Sequence, residues 1–251
     1  MTEYPVGSVH TTARIVHALD GGREAGVTEL AEELDVSKAS VHNHLTTLER
    51  LGIVVSDEGR YRLGLRFLDI GIGVRDGMEL HHAACPEVDG LAQSTGESPA
   101  LVVPEHDEAV HAAVVNPDRN DRRLRLGSRA PLHATAAGKV ILAYRSYEAV
   151  DEYVDTVGLT LETDRTVGTR SDLQDELRSV RDRGLAFDRG ELFGDMRSVA
   201  APIRRDDNGK TPAGALAVSG PAERLSGKRL EEDLPGMVLS AAKRVELELA
   251  D

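Results

Sequence analysis

The sequence predicts an α+β protein in three parts: a small helical domain closed by a β-hairpin (residues 1–64), a linker helix (65–81), and a larger mixed α/β domain (82–251). Three observations predict it. Three helical periodicities are followed by two short extended runs around a glycine turn. A glycine-punctuated helical stripe comes next. Beyond it, alternating strand patterns are interleaved with capped helices to the end of the chain. At 251 residues the chain can bury one large core or two ordinary ones.

The elements follow in order. Residues 8–20 place Val9, Ala13, Val16 and Leu19 on one helical face, and Gly21 and Gly22 end the run. Val27 to Leu34 is a short second helix. Ser37 is a good N-cap for a third, from Lys38 to Leu51, closed by Gly52. The runs from Ile53 and from Arg60 flank the turn S-D-E-G and predict a hairpin. Gly64 to Leu80 carries a Leu65/Leu68/Ile72 stripe, with glycines at 71, 73 and 77 that suit close packing or a joint. In the last part, a helix over 84–95 precedes strands from Pro99 and Ala109. Helices over 136–145 and 148–155 follow, then one capped by Ser171 and Gln174 and running to Arg183. Strands from Leu185, Arg197 and Thr211 come next, the last two joined by the turn D-D-N-G, and a helix over 235–249 ends the pattern.

Composition narrows the function classes. A single cysteine, Cys85, excludes an internal disulfide framework and multi-cysteine metal patterns. There is no apolar run of about 20 residues and no basic-then-apolar start, so a cytoplasmic protein is expected. Acidic residues number 43 against 30 basic, and only five of the basic ones are lysine (Lys38, Lys139, Lys210, Lys228, Lys243). An acidic, arginine-for-lysine surface suits a halophilic protein, because it keeps water bound while concentrated salt screens self-repulsion. The net charge of −13 argues against nonspecific nucleic-acid binding.

Three helices and a hairpin make a winged helix-turn-helix, whose third helix enters the DNA major groove. At 100° per residue, Val41, Leu45 and Leu48 cluster within about 60° and face the core. The opposite side carries Ala39, Asn43, Thr46, Thr47 and Arg50, flanked by Lys38, Ser40 and His42, without a carboxylate; Glu49 is placed toward the core edge. Hydroxyls, an amide and two cations are groups that contact base edges and phosphates. Arg60 and Arg62 in the wing suit phosphates as well. The alternative is a helical interaction domain that never meets DNA.

In the last part, the stretch P-L-H-A-T-A-A-G-K-V resembles active-site chemistry at first sight. A phosphate loop fails twice, because His133 stands where the first glycine belongs and Val140 follows Lys139. No nucleophile elbow accompanies Thr135 or His133, and the pairs His42/His44, His81/His82 and His106/His111 lack metal-ligand spacing. No catalytic residue, cofactor or metal is therefore expected. A binding role fits better: Thr135 offers a hydroxyl, Ala136 and Ala137 are small, and Gly138 stands at a helix start.

These stretches carry a resemblance over essentially the whole chain. T-E-L-A-E-E-L-D-V-S-K-A-S-V-H-N-H-L-T-T-L-E-R-L-G, then P-L-H-A-T-A-A-G-K, M-R-S-V-A-A-P-I and A-L-A-V-S-G-P, resemble the isocitrate lyase regulator (IclR) family of transcription factors. The resemblance implies a GAF-like effector-binding domain after the linker helix. It also implies a homodimer or dimer-of-dimers tetramer on a near-palindromic double-stranded operator, controlled by a small organic-acid or sugar-derived effector. The effector would act by favouring one arrangement of the DNA-binding domains. Within that pattern Asp188, Met196, Ser198 and Ser219 match pocket positions, alongside Thr135, Ala136, Ala137 and Gly138. This chain departs from it in having Asn43 where an arginine is frequent, Ser198 where cysteine is common, and Ala217 where serine occurs. A protein-interaction module or a small-molecule enzyme remain the alternatives.

Overall fold

A computed structural model describes residues 4–118, 123–205 and 212–250. The D-D-N-G turn and Thr211 lie outside the described residues. Two compact units result, one through Gly77 and one from Met78.

In the first unit, α1 (Gly7–Ala18), α2 (Val27–Leu34) and α3 (Lys38–Arg50) precede the wing strands β2 (Val54–Asp57) and β3 (Arg60–Leu63). A two-residue strand, β1 (Ala25–Gly26), pairs with the free edge of β3, so the wing is three-stranded, in the order β1-β3-β2. The loop between β2 and β3 is Glu58-Gly59, with φ of 46° and 79°. Two consecutive left-handed residues give the primed turn that matches strand twist. The core is Ile15, Leu19, Leu30, Leu34, Val41, Leu45, Leu48, Val54 and Tyr61. On α1 the buried face differs from expectation. Ile15 and Leu19, four apart, carry it, while Val9 is 64% exposed and Ala13 also faces solvent. The helix docks by its C-terminal half only.

The expected linker run divides. Helix α4 (Arg66–Asp76) ends at Gly77, Met78 is extended (φ −90°, ψ 110°), and α5 runs Glu79–Thr95. The helix expected to begin at Ala84 thus begins five residues earlier, because Leu80, Ala84, Val88 and Leu91 form one buried stripe. Helix α4 buries none of its own residues.

The second unit is a six-stranded antiparallel sheet with helices on both faces. Its strands are β4 (Ser98–Glu105), β5 (Glu108–Val114), β6 (Arg129–Pro131), β7 (Ala186–Asp188), β8 (Met196–Arg204) and β9 (Pro212–Pro221), in the order β6-β5-β4-β9-β8-β7. Strand alternation sorts the faces. Val199, Ala201, Ile203, Leu216 and Val218 meet α5 and α9 (Leu234–Glu248). Ala200, Ala215 and Ala217 meet the other layer, α6 (Ala136–Ala143), α7 (Tyr147–Thr156) and α8 (Arg170–Arg183). Alanines on that face let α6 lie close to the sheet. Thr169 caps α8, accepting from Asp172 N at 3.1 Å and donating to its carboxylate at 2.6 Å. The expected cap, Ser171, lies inside the helix.

Candidate functional site

The first candidate site is α3. Its N-cap is the one expected: the Ser37 hydroxyl accepts from Ser40 N at 3.2 Å. The turn before it reverses at Asp35, which takes φ 50° after α2. Arg14 ties α1 to that turn through the Leu34 carbonyl at 2.6 Å, and Thr12 bonds His44 Nδ1 at 2.8 Å. With Val41, Leu45 and Leu48 buried, Lys38, Ala39, His42, Asn43, Thr47 and Arg50 are exposed, and Ser40 and Thr46 half-buried. Among the described residues neither Lys38 nor Arg50 has an ion-pair partner. Glu49 is exposed too, so the last turn of the helix is not free of acid.

The wing arginines differ from expectation. Arg60 bonds Glu29 at 3.2 Å and the Glu24 carbonyl at 2.7 Å, and Arg62 lies 3.8 Å from Glu24. Both cations are matched inside the unit, where Arg60 fastens the wing to the start of α2. Backbone and arginine contacts hold the Glu29 carboxylate below its ordinary pKa.

The second candidate site is a partly open cavity of about 30 Å³ in the α/β unit, room for about one water molecule. Its polar lining starts with a row across three strands: Asp188 pairs with Ser198, and Ser198 with Ser219. Directly opposed residues in antiparallel strands stand about 5 Å apart on one face. Thr135, the N-cap of α6, and Ala137 on that helix complete the wall with Met196 and Ala217. Six of the eight expected pocket residues are therefore brought together. Ala136 and Gly138 are not on the wall. A Cβ on Gly138 would stand 2.2 Å from the Leu132 carbonyl oxygen, so this glycine serves the contact between α6 and the preceding turn. Its N–H is also taken, by the Thr135 hydroxyl at 2.9 Å, so it is not a free anion-binding donor.

Sequence reasoning missed His111, Leu124, Leu192 and Phe193 on the same wall. His111 sits on β5, where alternation alone makes it one more inward residue. Its Nδ1 meets Ser128 at 3.2 Å, and burial holds the imidazole below its ordinary pKa. Arg197 borders the cavity, but strand alternation sends its side chain to the opposite face, as with its neighbour Val199 in the α5–α9 core.

Asp188 is the chemically unusual member. One of its oxygens accepts from Gly190 N at 2.9 Å and Glu191 N at 2.6 Å. Burial nonetheless pushes its carboxyl up to about 6, with Glu191 adding to the rise and Lys139 opposing it. Lys139 is 1% exposed and bonds Glu191 at 2.7 and 2.9 Å and Glu176 at 3.1 Å. The Gly-Lys pair thus ties α6 to the loop after β7. His133 is equally committed: Nε2 faces the Thr160 carbonyl at 3.0 Å, which can only accept, and Nδ1 meets the Tyr153 hydroxyl at 2.8 Å. The ring has no nitrogen left to act as a catalytic base.

Among the described residues no group of three or more His, Cys, Asp or Glu is placed to hold a metal ion, and no helix is long and apolar enough to cross a membrane.

Known proteins resemble the chain in both units. The model of the IclR helix-turn-helix domain matches residues 8–58, and that of the bacterial transcriptional regulator IclR C-terminal domain matches residues 73–247. The chain is 34% identical to the glycerol operon regulatory protein of Streptomyces coelicolor, over 97% of this chain and 96% of that one. It is 31% identical to the HTH-type transcriptional regulator KdgR of Escherichia coli, over 97% and 93%. Among solved structures, the Thermotoga maritima IclR superposes with a TM-score of 0.79 at 25% identity, covering 98% of each chain. An IclR homologue from Microbacterium hydrocarbonoxydans complexed with 4-hydroxybenzoate shares the fold, with a TM-score of 0.82 at 21% identity over 97% and 99%. The chain belongs to the IclR family of transcriptional regulators, with a DNA-binding helix-turn-helix domain followed by a ligand-binding C-terminal domain.

Proposed function

We propose that α3 reads an operator through Lys38, Ala39, Ser40, His42, Asn43, Thr46, Thr47 and Arg50, and that the cavity beneath α6 holds the effector controlling that binding. The effector is a small organic acid or sugar-derived acid. The row Asp188–Ser198–Ser219 carries this reading, since it sets three short polar groups side by side on one cavity wall, where the polar atoms of a ligand can bond them. The relative holding 4-hydroxybenzoate supports an organic acid, for which a cavity of about 30 Å³ has to widen on binding. Arg60 and Arg62 act second to α3, because their acidic partners offset their charge. The protein works in the cytoplasm without catalysing a reaction.

The functional division is a DNA-binding part over 1–64, a linker over 65–81 and an effector part over 82–251. Exposed Leu65, Leu68, Ile70 and Val74 on and beside α4 support self-association there. A homodimer or a dimer of dimers would then present two α3 helices to a near-palindromic site. The excess of acid and the scarcity of lysine support a halophilic origin, as does 32% identity to a Halobacterium salinarum relative.

The test is a gel shift with DNA from immediately upstream of the gene. Asn43→Ala with Arg50→Ala is expected to weaken binding by roughly 10- to 100-fold, as loss of a base contact and a phosphate contact does. Unchanged affinity in a folded double variant contradicts the assignment of α3.

A further inference from the structure

The charge count around Asp188 leads further, on the footing of the pocket just proposed. Among the described residues, Lys139 on α6 is the cation bonded to this cluster, and it is already shared by Glu191 and Glu176. Asp188 is bonded to the backbone N–H groups of Gly190 and Glu191 through one oxygen, Oδ1. The groups packed around it are few. They are Glu191 and Gly190 from the following loop, Lys139 and Thr135 from α6, Glu176 from α8, Ser198 from β8, Ser219 from β9 and His111 from β5. Arg189, next in the chain, is paired with Glu231 and stacked over Phe187, and Arg165 bonds the Arg189 carbonyl.

Three carboxylates therefore share one ammonium before any effector arrives. A carboxylate effector would be the fourth, in a confined space where like charges repel strongly. Protonation of Asp188 at its second oxygen removes one negative charge. It also converts that oxygen from an acceptor into a donor aimed at the effector. Ser198 and Ser219 donate hydroxyl protons beside it, so the row becomes a set of donors for an anionic oxygen.

We propose that this protein binds its effector as a carboxylate together with one proton, which is taken up by Asp188, so that effector affinity rises as pH falls. The upward displacement of the Asp188 carboxyl to about 6 sets the range in which this is felt. Affinity is level from about pH 6 down to the range in which the effector's own carboxyl protonates, and falls by up to tenfold for each pH unit above about 6, because the protein must be protonated to bind.

The full-length protein is tested by thermal shift and then calorimetry, with acetate, lactate, benzoate and 4-hydroxybenzoate, at pH 5.5 to 8.5 and fixed salt. The expected result is that at least one acid binds at pH 5.5 and weakens by roughly 30-fold or more by pH 8. Calorimetry at pH 7.5 in buffers of differing ionisation enthalpy should show close to one proton taken up per site. Asp188→Asn, neutral at every pH, flattens the profile. A pH-independent affinity in the wild type overturns the proposal. So does Asp188→Asn abolishing binding at every pH while still melting cooperatively, since an ionised carboxylate would then be accepting from the ligand. Ala137→Val, whose two added methyl groups suffice to fill a one-water cavity, separates the two levels. If none of the four acids binds at pH 5.5, or if binding survives Ala137→Val in a protein that melts cooperatively, the pocket reading itself falls. A flat profile with binding lost in Ala137→Val sinks the proton linkage alone.

Discussion

Helix α3 and the cavity beneath α6 both present short polar side chains, yet they hold them ready in opposite ways. On α3, burial of Val41, Leu45 and Leu48 turns the other side outward, and solvent satisfies Asn43, Thr47 and Arg50 until DNA displaces it. In the cavity, Asp188 and Ser198 are buried, Ser219 is half-buried, and all three are aligned by strand register, with Asp188 further fixed by backbone donors. The first site is assembled by one helix and its cap. The second needs three strands, α6 and a loop held by Lys139. The difference teaches that substitutions on α3 should alter binding with little effect on folding, whereas the framework around the cavity couples the two.

The largest expected effect breaks that framework. Lys139→Ala leaves Glu191 buried without its ammonium, and should destabilise the α/β unit by about 3–5 kcal/mol, as removal of one partner from a buried ion pair does. Urea denaturation measures it, and a loss below about 1 kcal/mol would mean that Lys139 does not hold the loop. Next comes pH. The Asp188 carboxyl lies at about 6 in the folded protein and near 4 in an unfolded chain. The folded state therefore binds the extra proton between those values, and stability falls as pH rises from about 4 through 6. Denaturation at pH 4 and pH 7 should show the wild type losing up to about 3 kcal/mol relative to Asp188→Asn. An equal pH response in both proteins contradicts the assignment. The smallest effect concerns the wing. Arg60→Ala removes an exposed, solvent-screened pair, and should reduce DNA affinity less than Arg50→Ala does. The reverse ranking in a gel shift would place the wing ahead of α3.

How far each site was legible follows from the same contrast. The limits of α3, its Ser37 cap and its buried stripe could be read from spacing, because they depend on neighbours within one or two turns. Strand β1 could not, since two residues acquire strand geometry only by pairing with β3. Nor could the start of α5, where burial of Leu80 outweighs the glycines before it. In the cavity, the motifs pointed to Thr135, Ala137, Asp188 and Ser198, but His111 and Phe193 are there through tertiary placement alone. Gly138 shows the limit of reading a motif by residue type. It was expected to leave room for a ligand, and it leaves room for the Leu132 backbone. The histidine and lysine that gave the stretch 131–140 its catalytic look are structural, one locked to Tyr153 and Thr160 and the other to Glu191.

On this reading, DNA reading and effector sensing reside in separate groups of residues. A paired measurement separates them: fluorescence anisotropy with upstream DNA, and calorimetry with the carboxylate that binds at pH 5.5, on Asn43→Ala/Arg50→Ala and on Ala137→Val. The first variant is expected to lose DNA affinity and keep effector affinity. The second should keep DNA affinity and lose both the effector and its influence on DNA binding. Two folded variants that each lose both activities, or that exchange these outcomes, would contradict it.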